Sequence, residues 1–411
     1  MKIYQVGGAV RDKILGKIPN DVDYVVVGSD IKQMRELGFI QVGKGFPVFL
    51  HPKTKQEYAL ARKEIKTGNK HTDFKFVFTP DITLEEDLQR RDFTCNAIAY
   101  DEQSGQYIDY FGGLQDIKNK LIRHIDAEHF VEDPLRALRM CRFAAQLDFD
   151  VDESTINLCS DMVAQKMLSF LSAERIWQEF EKAFLSSSFY RFIDIMRQIG
   201  ALKEIMPEID NLFSISEKIE FHPEGNTGDH TLNALKFVSS ESVMVQFAVL
   251  VHDIGKAFTP TEQLPSHKGH ENRGINAIKE ICKRLKIPNK IRDFALLSSM
   301  HHMKFHLIQD MRVGKLYDLV SNLHIGHTNY VVDFIKVCRA DFESTTMENK
   351  GHLLRQFEDS AQLLLKVSDI LQNIKASDMP NFNILPKDER FSQCFREYKI
   401  RVLKDQLSIK E

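Results

Sequence analysis

No Cys-x-x-Cys pair occurs among the six cysteines, Cys95, Cys141, Cys159, Cys282, Cys338 and Cys394, which are scattered along the chain. Their spacing argues against a zinc knuckle or a disulfide frame and fits reduced thiols in a cytosolic protein. No apolar run approaches the about 20 residues that a membrane helix needs, and the opening "MKIYQVGG" has no apolar signal core. A soluble, cytoplasmic protein without a membrane partner is expected. Charge of one sign is also missing. The formal charge of −3 gives no global attraction to nucleic acid, so an RNA-binding role would need a local basic surface. Internal repeats and low-complexity tracts are absent too. What the chain does have is 411 residues, 43% of them apolar and 27% charged, enough to bury several cores.

Strand and helix signals divide this length. Residues 1–125 mix short strands and helices. "MKIYQVGG" reads as a strand entering a glycine turn, "AVRDKILG" as a short helix ended by Gly16, and "DVDYVVVG" as a buried strand. "VFLHPKTKQEYALAR" reads as a hairpin, and the polar, basic "KEIKTGNKHTDFKFVFTPD" as an irregular mobile loop. From 126 to 220 the pattern is helical, with Pro134 in the first turn of "DPLRALRMCRFAAQL" and Ser172 as the N-cap of "SAERIWQEFEKAFL". Residues 221–375 form a histidine-rich helical region, and 376–411 a polar helical tail to which no chemistry attaches. The expected class is α+β: a head with a small mixed sheet, then an all-α neck or body, then a further all-α domain.

The chemistry concentrates first in "VGGAVRDKILGKIPNDVDYVVVG", residues 6–28. Along a strand, side chains at i and i+2 share a face, so Asp21 and Asp23 would present two carboxylates side by side. Mg²⁺ prefers oxygen ligands and bridges carboxylates to phosphates. Two such ions can clamp the attacking and leaving oxygens of an in-line phosphoryl displacement. Upstream, Gly7 and Gly8 let the backbone approach phosphate closely, the helix starting near Ala9 aims free N–H groups at an anion, and Arg11 adds a fixed charge. A lone D-x-D is usually a surface turn. The succession G-G-x-V-R-D, short helix, D-x-D and apolar strand is far more specific, and supplies the parts of a nucleoside-triphosphate site.

A second stretch, "EDPLRALRMCRF", puts Asp133, Arg136 and Arg139 at i, i+3 and i+6, roughly one helix face. A carboxylate accepts from an exocyclic amine while a guanidinium donates to a ring acceptor. Cytosine and adenine offer that combination; uracil and guanine present a carbonyl instead. Such a pair selects C and A without a template. Standing alone, the stretch would be read as an ordinary exposed salt bridge.

These residues carry a resemblance. "GGAVRD…DVD" is similar to the first motif of class II tRNA nucleotidyltransferases, within the DNA polymerase β-like nucleotidyltransferase superfamily. The resemblance implies a polymerase β-like head in which Gly8 and Arg11 hold triphosphate, and Asp21 and Asp23 hold Mg²⁺ and help activate an RNA 3′ hydroxyl. Glu57 is a candidate third carboxylate on a neighbouring strand. "RRDFTCNAIAYD" matches the second motif, R-R-D-x-x-x-N-A, which implies ribose and phosphate contacts for Arg91, Asp92 and Asn96. "DYFGGLQDI" resembles a hinge element through Asp109, Gly113 and Asp116, with Tyr110 where proline is common and Ile117 where leucine is. "EDPLR" matches the nucleobase-reading motif, with Asp133 and Arg136 on the base and Arg139 near phosphate. Glu174, Arg175 and Glu179 of "AERIWQEFEK" match a motif that braces that helix.

Most of the 15 histidines lie in the second half. His230, the dipeptide His252-Asp253 in "LVHDIGK", His267, His270, His301, His302, His306 and then Asp341 follow in order. A His-Asp dipeptide ending an apolar helix can put imidazole and carboxylate on one metal. A mixed N/O set suits Mn²⁺, Ni²⁺, Co²⁺ or Mg²⁺, and a metal there would activate water toward a phosphoester. The order H…H-D-I-G-K…D resembles the HD-domain phosphohydrolases, which implies His230, His252, Asp253 and Asp341 as ligands and His252 and Asp253 as catalytic. His270 and His302 are candidates for a second metal or the substrate phosphate, and Lys256 for phosphate.

Over residues 1–345 the order of motifs resembles bacterial class II enzymes with an HD domain behind the transferase head. This implies CCA addition and repair from CTP and ATP on tRNA, together with 2′,3′-cyclic phosphodiesterase, 2′-nucleotidase and phosphatase activities, in a monomer or homodimer. A cyclic phosphate blocks the 3′ hydroxyl that the transferase extends, so the pairing is chemically sensible. The expected boundaries are 1–125 head, 126–220 neck and body, 221–375 HD domain and 376–411 tail. "KRLKIPNKIR" and "KEIKTGNKHTDFK" are candidate RNA contacts, recognising an A-form acceptor arm by shape and backbone. Two other readings stand beside this one: a bacterial poly(A) polymerase sharing the head motifs, and an HD hydrolase with an inactive RNA-binding head.

Overall fold

The computed structural model describes all residues except 20, 43–47, 67–73, 218–224, 346–349, 381, 383–388 and 408–411. The chain folds as two compact units, residues 1–183 with 191–204, and residues 184–190 with 205–411. Among the described residues no helix is long and apolar enough to cross a membrane.

The first unit begins with β1 (Lys2–Val6), α1 (Gly8–Ile14), β2 (Asp23–Val27), α2 (Ile31–Glu36), β3 (Ile40–Val42), β4 (Val48–Leu50) and β5 (Glu57–Leu60). β6 (Lys63–Lys66), β7 (Phe74–Val77), α3 (Leu84–Gln89), β8 (Ile98–Asp101), β9 (Gln106–Asp109) and α4 (Gly113–Lys118) follow. Seven strands form one sheet in the order β3-β4-β5-β2-β1-β8-β9. Only β2 and β5 pair in parallel; the other ladders are antiparallel. This is the small mixed sheet of the expected α+β class.

β2 explains the valine string. Val25 packs with Leu84 and Leu88 of α3, while Tyr24 and Val26 pack with Met34 of α2 and Phe49 of β4. Both faces are therefore covered, so an uninterrupted apolar run is what this central strand requires. The hairpin read in "VFLHPKTKQEYALAR" forms as β4 and β5. The expected irregular loop after it differs: its flanks pair as the antiparallel hairpin β6–β7, and Phe74 and Phe76 stand at strand spacing within the polar composition. The tip, 67–73, lies outside the described residues.

A short parallel ladder of β10 (Leu121–Ile122) and β11 (Asp150–Val151) brackets α5 (Ala127–Phe130) and α6 (Leu135–Leu147). α7 (Glu153–Ala164) and α8 (Ala173–Phe184) follow. The backbone N–H of Arg175 reaches the Ser172 hydroxyl at 3.4 Å, as expected of an N-cap.

Beyond α9 (Phe189–Gln198), α10 (Ala201–Ile205) and α11 (Pro207–Asp210), the second unit contains α12 (Thr227–Phe237), α13 (Val243–Val251), α14 (His270–Arg284) and α15 (Asn289–Phe305). α16 (Val313–Asn322), a hairpin of β12 (His324–Ile325) and β13 (Thr328–Asn329), α17 (Val331–Ser344), α18 (Lys350–Asn373) and α19 (Glu389–Leu407) complete it. From Val245 to Val251, α13 is buried at every residue, which is why "VMVQFAVLV" is apolar all round. It delivers His252 and Asp253 into the middle of this unit.

Candidate active sites

In the first unit, the register of β1 and β2 creates the head site. β1 ends at Val6 opposite Asp23, so the Gly7-Gly8 turn leaves the sheet beside that carboxylate. Gly7 has φ 77°, and a Cβ there would stand 3.0 Å from Arg91 Nη1 and 3.9 Å from Asp23 Oδ2. A side chain would fill the space between cation and carboxylate, and the left-handed backbone itself favours glycine. Across the parallel ladder Asp23 pairs in register with Glu57, the third carboxylate raised from the sequence.

Asp21 departs from expectation. β2 starts at Asp23, so Asp21 precedes the strand rather than sharing it, because β1 has no residue left to pair beyond Val6. Its charge still acts on Asp23. Burial raises the Asp23 carboxyl above the usual range, Arg91 pulls it back, and Asp21 pushes it up again. Among the described residues neither aspartate forms an ion pair. A carboxylate at the exposed start of β2, crowded by a second one, is a donor set that a divalent cation relieves, so these residues fit Mg²⁺.

Asp23 opens onto a cavity of about 630 Å³ in which seven of the lining residues are arginines, Arg11, Arg62, Arg90, Arg91, Arg136, Arg139 and Arg175. Gly8, Asp92, Asn96 and Asp133 line it as well, so one cavity gathers the predicted nucleotide residues; Asp21 is not among its walls. Several of these side chains hold each other. Arg11 donates to Asn96 Oδ1 at 2.7 Å, Asn96 donates to Asp92 Oδ1 at 3.0 Å, and Arg139 donates to Asp92 Oδ2 at 2.6 and 2.8 Å. This chain ties α1 to α6. Burial would raise the Asp92 carboxyl, but Arg139 and Asn96 hold it below its ordinary value.

Asp133 is not on the helix that follows it. It sits ahead of Pro134, accepts from Leu135 N at 3.1 Å, and accepts from Arg175 at 2.8 and 3.1 Å. With Pro134 as its N-cap the helix starts at Leu135, too late to carry Asp133 on the expected i, i+3, i+6 face. Arg136 donates to the carbonyls of His129 (2.8 Å) and Arg90 (2.6 Å). Both members of the base-reading pair thus already have partners, which a nucleobase would have to replace. Of the bracing motif, Arg175 meets Asp133, and Glu179 accepts from the buried Arg142 of α6.

Two residues were missed. Asp87, 1% exposed, pairs with Arg90 at 2.8 Å and Arg91 at 3.5 Å. The i, i+3 and i, i+4 spacing in "DLQRR" was the available signal. Arg62 lines the cavity without any motif around it.

In the second unit, His230, His252, Asp253 and Asp341 converge, with ligand atoms within 4.8 Å of one another, and Asp253, His270 and His302 form an adjoining set. α12 supplies His230, the end of α13 the dipeptide, α14 His270, α15 His302 and α17 Asp341. The turn packs tightly: a Cβ on Gly255 would lie 1.9 Å from the His270 carbonyl oxygen, so "HDIG" needs its glycine for close approach to α14.

The imidazoles are pre-set as ligands. Nδ1 of His252, His270 and His302 each lies 2.7–3.0 Å from the carbonyl three residues earlier, Val249, His267 and Ser299. Nδ1–H donates there, which leaves the Nε2 atoms turned inward. His252 Nε2 is buried without a hydrogen bond, 3.4 Å from Asp253 and 3.6 Å from Asp341. His270 Nε2 and His302 Nε2 face each other at 3.1 Å. Burial opposes charge on His252, yet Asp253 and Asp341 outweigh it and lift its pKa to about 10, so at neutral pH its Nε2 carries a proton that a bound cation would displace. Inward Nε2 atoms beside ionised carboxylates fit a divalent metal.

Lys256 is buried between Asp253 at 2.8 Å and Glu217 at 2.7 Å. It braces Asp253, and a phosphate would have to compete with Glu217, which no sequence pattern marked. The basic run "KRLKIPNKIR" is partly neutralised, since Arg284 pairs with Glu208 and Arg292 with Asp293.

Residues 3–123 match the family described as Poly A polymerase head domain, 148–213 that described as probable RNA and SrmB-binding site of polymerase A, and 227–326 the HD domain. The chain is 46% identical over 347 residues to the Multifunctional CCA protein of Vibrio vulnificus strain YJ016, covering 83% of this chain and 85% of the relative. It is 41% identical over 389 residues to the Multifunctional CCA protein of Acinetobacter baylyi, covering 93% and 92%. In fold it is similar to a CCA-adding enzyme solved in complex with ATP, with a TM-score of 0.64 at 20% identity over 99% of this chain and 89% of the other. A Thermotoga maritima CCA-adding enzyme complexed with tRNA gives 0.63 at 20% identity over 99% and 90%.

Proposed function

The chain belongs to the multifunctional CCA protein family, and from that premise we propose that it completes and repairs the 3′-terminal CCA of tRNA from CTP and ATP without a template. It is a tRNA nucleotidyltransferase with an HD domain behind the head. The observation that carries the reading is the arginine-walled cavity, where Asp23, the Gly7-Gly8 turn and the Asp133–Arg136 pair open onto one space.

In each addition the RNA 3′ oxygen bonds to the α-phosphorus, the α–β anhydride bond breaks, and pyrophosphate leaves. Asp23, with Asp21 next to it ahead of the strand, would hold Mg²⁺, and the ion would supply stabilisation of negative charge on phosphate oxygens. Arg91 and the backbone at Gly8 receive the triphosphate, with Arg11 held beside them by Asn96 and Asp12. Asp92, Asn96 and Arg139 fix the ribose and phosphate end of the cavity through their mutual hydrogen bonds. Asp133 accepts from the amine of cytosine or adenine and Arg136 donates to the ring acceptor once each has released its present partner.

In the HD unit, His230, His252, Asp253 and Asp341 would hold a divalent metal, Ni²⁺, Mn²⁺, Co²⁺ or Mg²⁺, and His270 and His302 with Asp253 would suit a second. A metal there supplies Lewis acidity for hydrolysis of a phosphoester. The reading assigns this unit 2′,3′-cyclic phosphodiesterase, 2′-nucleotidase and phosphatase activity, and the whole protein to the cytoplasm.

Separation of function tests both assignments. Asp23→Ala should lower nucleotide incorporation at least about 100-fold, since the metal clamp supplies several kcal/mol, and leave hydrolysis of a 2′,3′-cyclic nucleotide intact. His252→Ala should do the reverse. Retention of both activities in either variant would defeat the two-site scheme.

A further inference from the structure

A cleft of about 290 Å³ in the second unit belongs to neither site. It lies where the end of α16, the β12–β13 hairpin, α18 and α19 meet, and Ser321, His324, His327, Thr328, Gln372 and Lys399 line it. Three of these six are nitrogen bases and three are neutral hydrogen-bonding groups, and among the described residues no carboxylate lines the cleft.

Lys399 differs from the ion-paired cations of this unit. Lys256 pairs with Glu217 and Asp253, Lys336 with Glu241, and Arg396 with Asp318. Lys399 forms no ion pair among the described residues; its ammonium sits 4.3 Å from the centroid of the Phe395 ring. Burial alone pulls its pKa below the ordinary lysine value, and His324 is lowered by burial and then by the Lys399 charge. The hairpin is fixed at the cleft wall, since Asn329, which also lines the cleft, donates to Ser368 at 2.9 Å and accepts from Val331 N at 2.9 Å. A half-buried ammonium beside two imidazoles, with neutral donors and no anion, is a preformed place for negative charge.

We infer that this cleft binds a phosphate group, with Lys399 of the tail helix as its charge partner and His324 and His327 as donors beside it. The phosphate comes either from a small phosphomonoester or from an RNA backbone diester. The inference also assigns a task to α19, to which the sequence attached none.

Histidine-selective ¹³C labelling of the full-length protein gives a local readout distinct from both active sites, with His324→Gln and His327→Gln assigning the two signals. Inorganic phosphate is titrated in one arm and tRNA lacking its terminal CCA in the other. A saturable shift of both rings is expected in at least one arm. Lys399→Gln should weaken that response about 10- to 100-fold, the loss of one charge-assisted contact, and Lys399→Arg should retain it. The arm with the tighter curve identifies monoester or backbone diester. No saturable shift in either arm, or a shift unchanged in Lys399→Gln, would overturn the inference.

Discussion

Removing the Glu179 carboxylate is the sharpest test of how α6, the helix that follows Asp133, is held. Glu179 on α8 is 2% exposed and accepts from Arg142 on α6, itself 5% exposed. The Arg142 guanidinium also lies 4.0 Å over the Phe143 ring and donates to Gln146 at 2.6 Å. Glu179→Ala would leave that guanidinium buried with only one neutral acceptor. Breaking a buried pair by deleting one partner costs about 3–5 kcal/mol. For a unit of roughly 200 residues, at about 2–4 °C per kcal/mol, the first thermal transition should fall by about 6–20 °C. The Gln146 contact argues for the lower part of that range. Calorimetry of the full chain measures it, and Glu179→Leu with Arg142→Met is the control, because replacing both partners by apolar groups removes the unpaired charge and should recover most of the loss. A fall of less than about 2 °C in Glu179→Ala, or a double variant worse than the single, would refute the argument.

The Asp133–Arg175 pair should behave differently. Its side chains are 35% and 36% exposed, so Arg175→Ala should cost less than about 1 kcal/mol of stability in denaturant titration. Asp133→Ala should relax base choice more than it weakens triphosphate binding; intact selection of C and A against UTP and GTP in competition would remove the reading role. Metal binding has a readout independent of turnover: Mn²⁺ at 100 times its Kd should stabilise the HD unit by about 2.7 kcal/mol after chelator treatment, and His252→Ala should lose that gain. An equal gain in the variant would move the metal elsewhere.

Local chemistry was legible in the sequence, and partnership was not. The glycine turn, the short helix and the buried strand of residues 2–27 follow from turn residues and apolar runs, and the order of histidines and aspartates pointed to one metal cluster. Position along β2 was harder, because where pairing starts depends on the length of β1, and this left Asp21 ahead of the strand. The β6–β7 hairpin was obscured by its lysines, which mask the alternation beneath. Which acid meets which arginine is set by tertiary packing: Asp92 with Arg139, and Asp133 with Arg175, are separated by 47 and 42 residues. Glu217 beside Lys256 was invisible for the same reason, at a separation of 39 residues.

Stepwise extension of a tRNA that lacks its last three nucleotides, with each nucleoside triphosphate alone and then with CTP and ATP together, tests the central claim most directly. CTP alone should add two residues, CTP with ATP should add C, C and A and then stop, and UTP or GTP should add none. Long adenylate tails without cytidylate, or no extension by a protein that still hydrolyses cyclic phosphodiesters, would contradict the account.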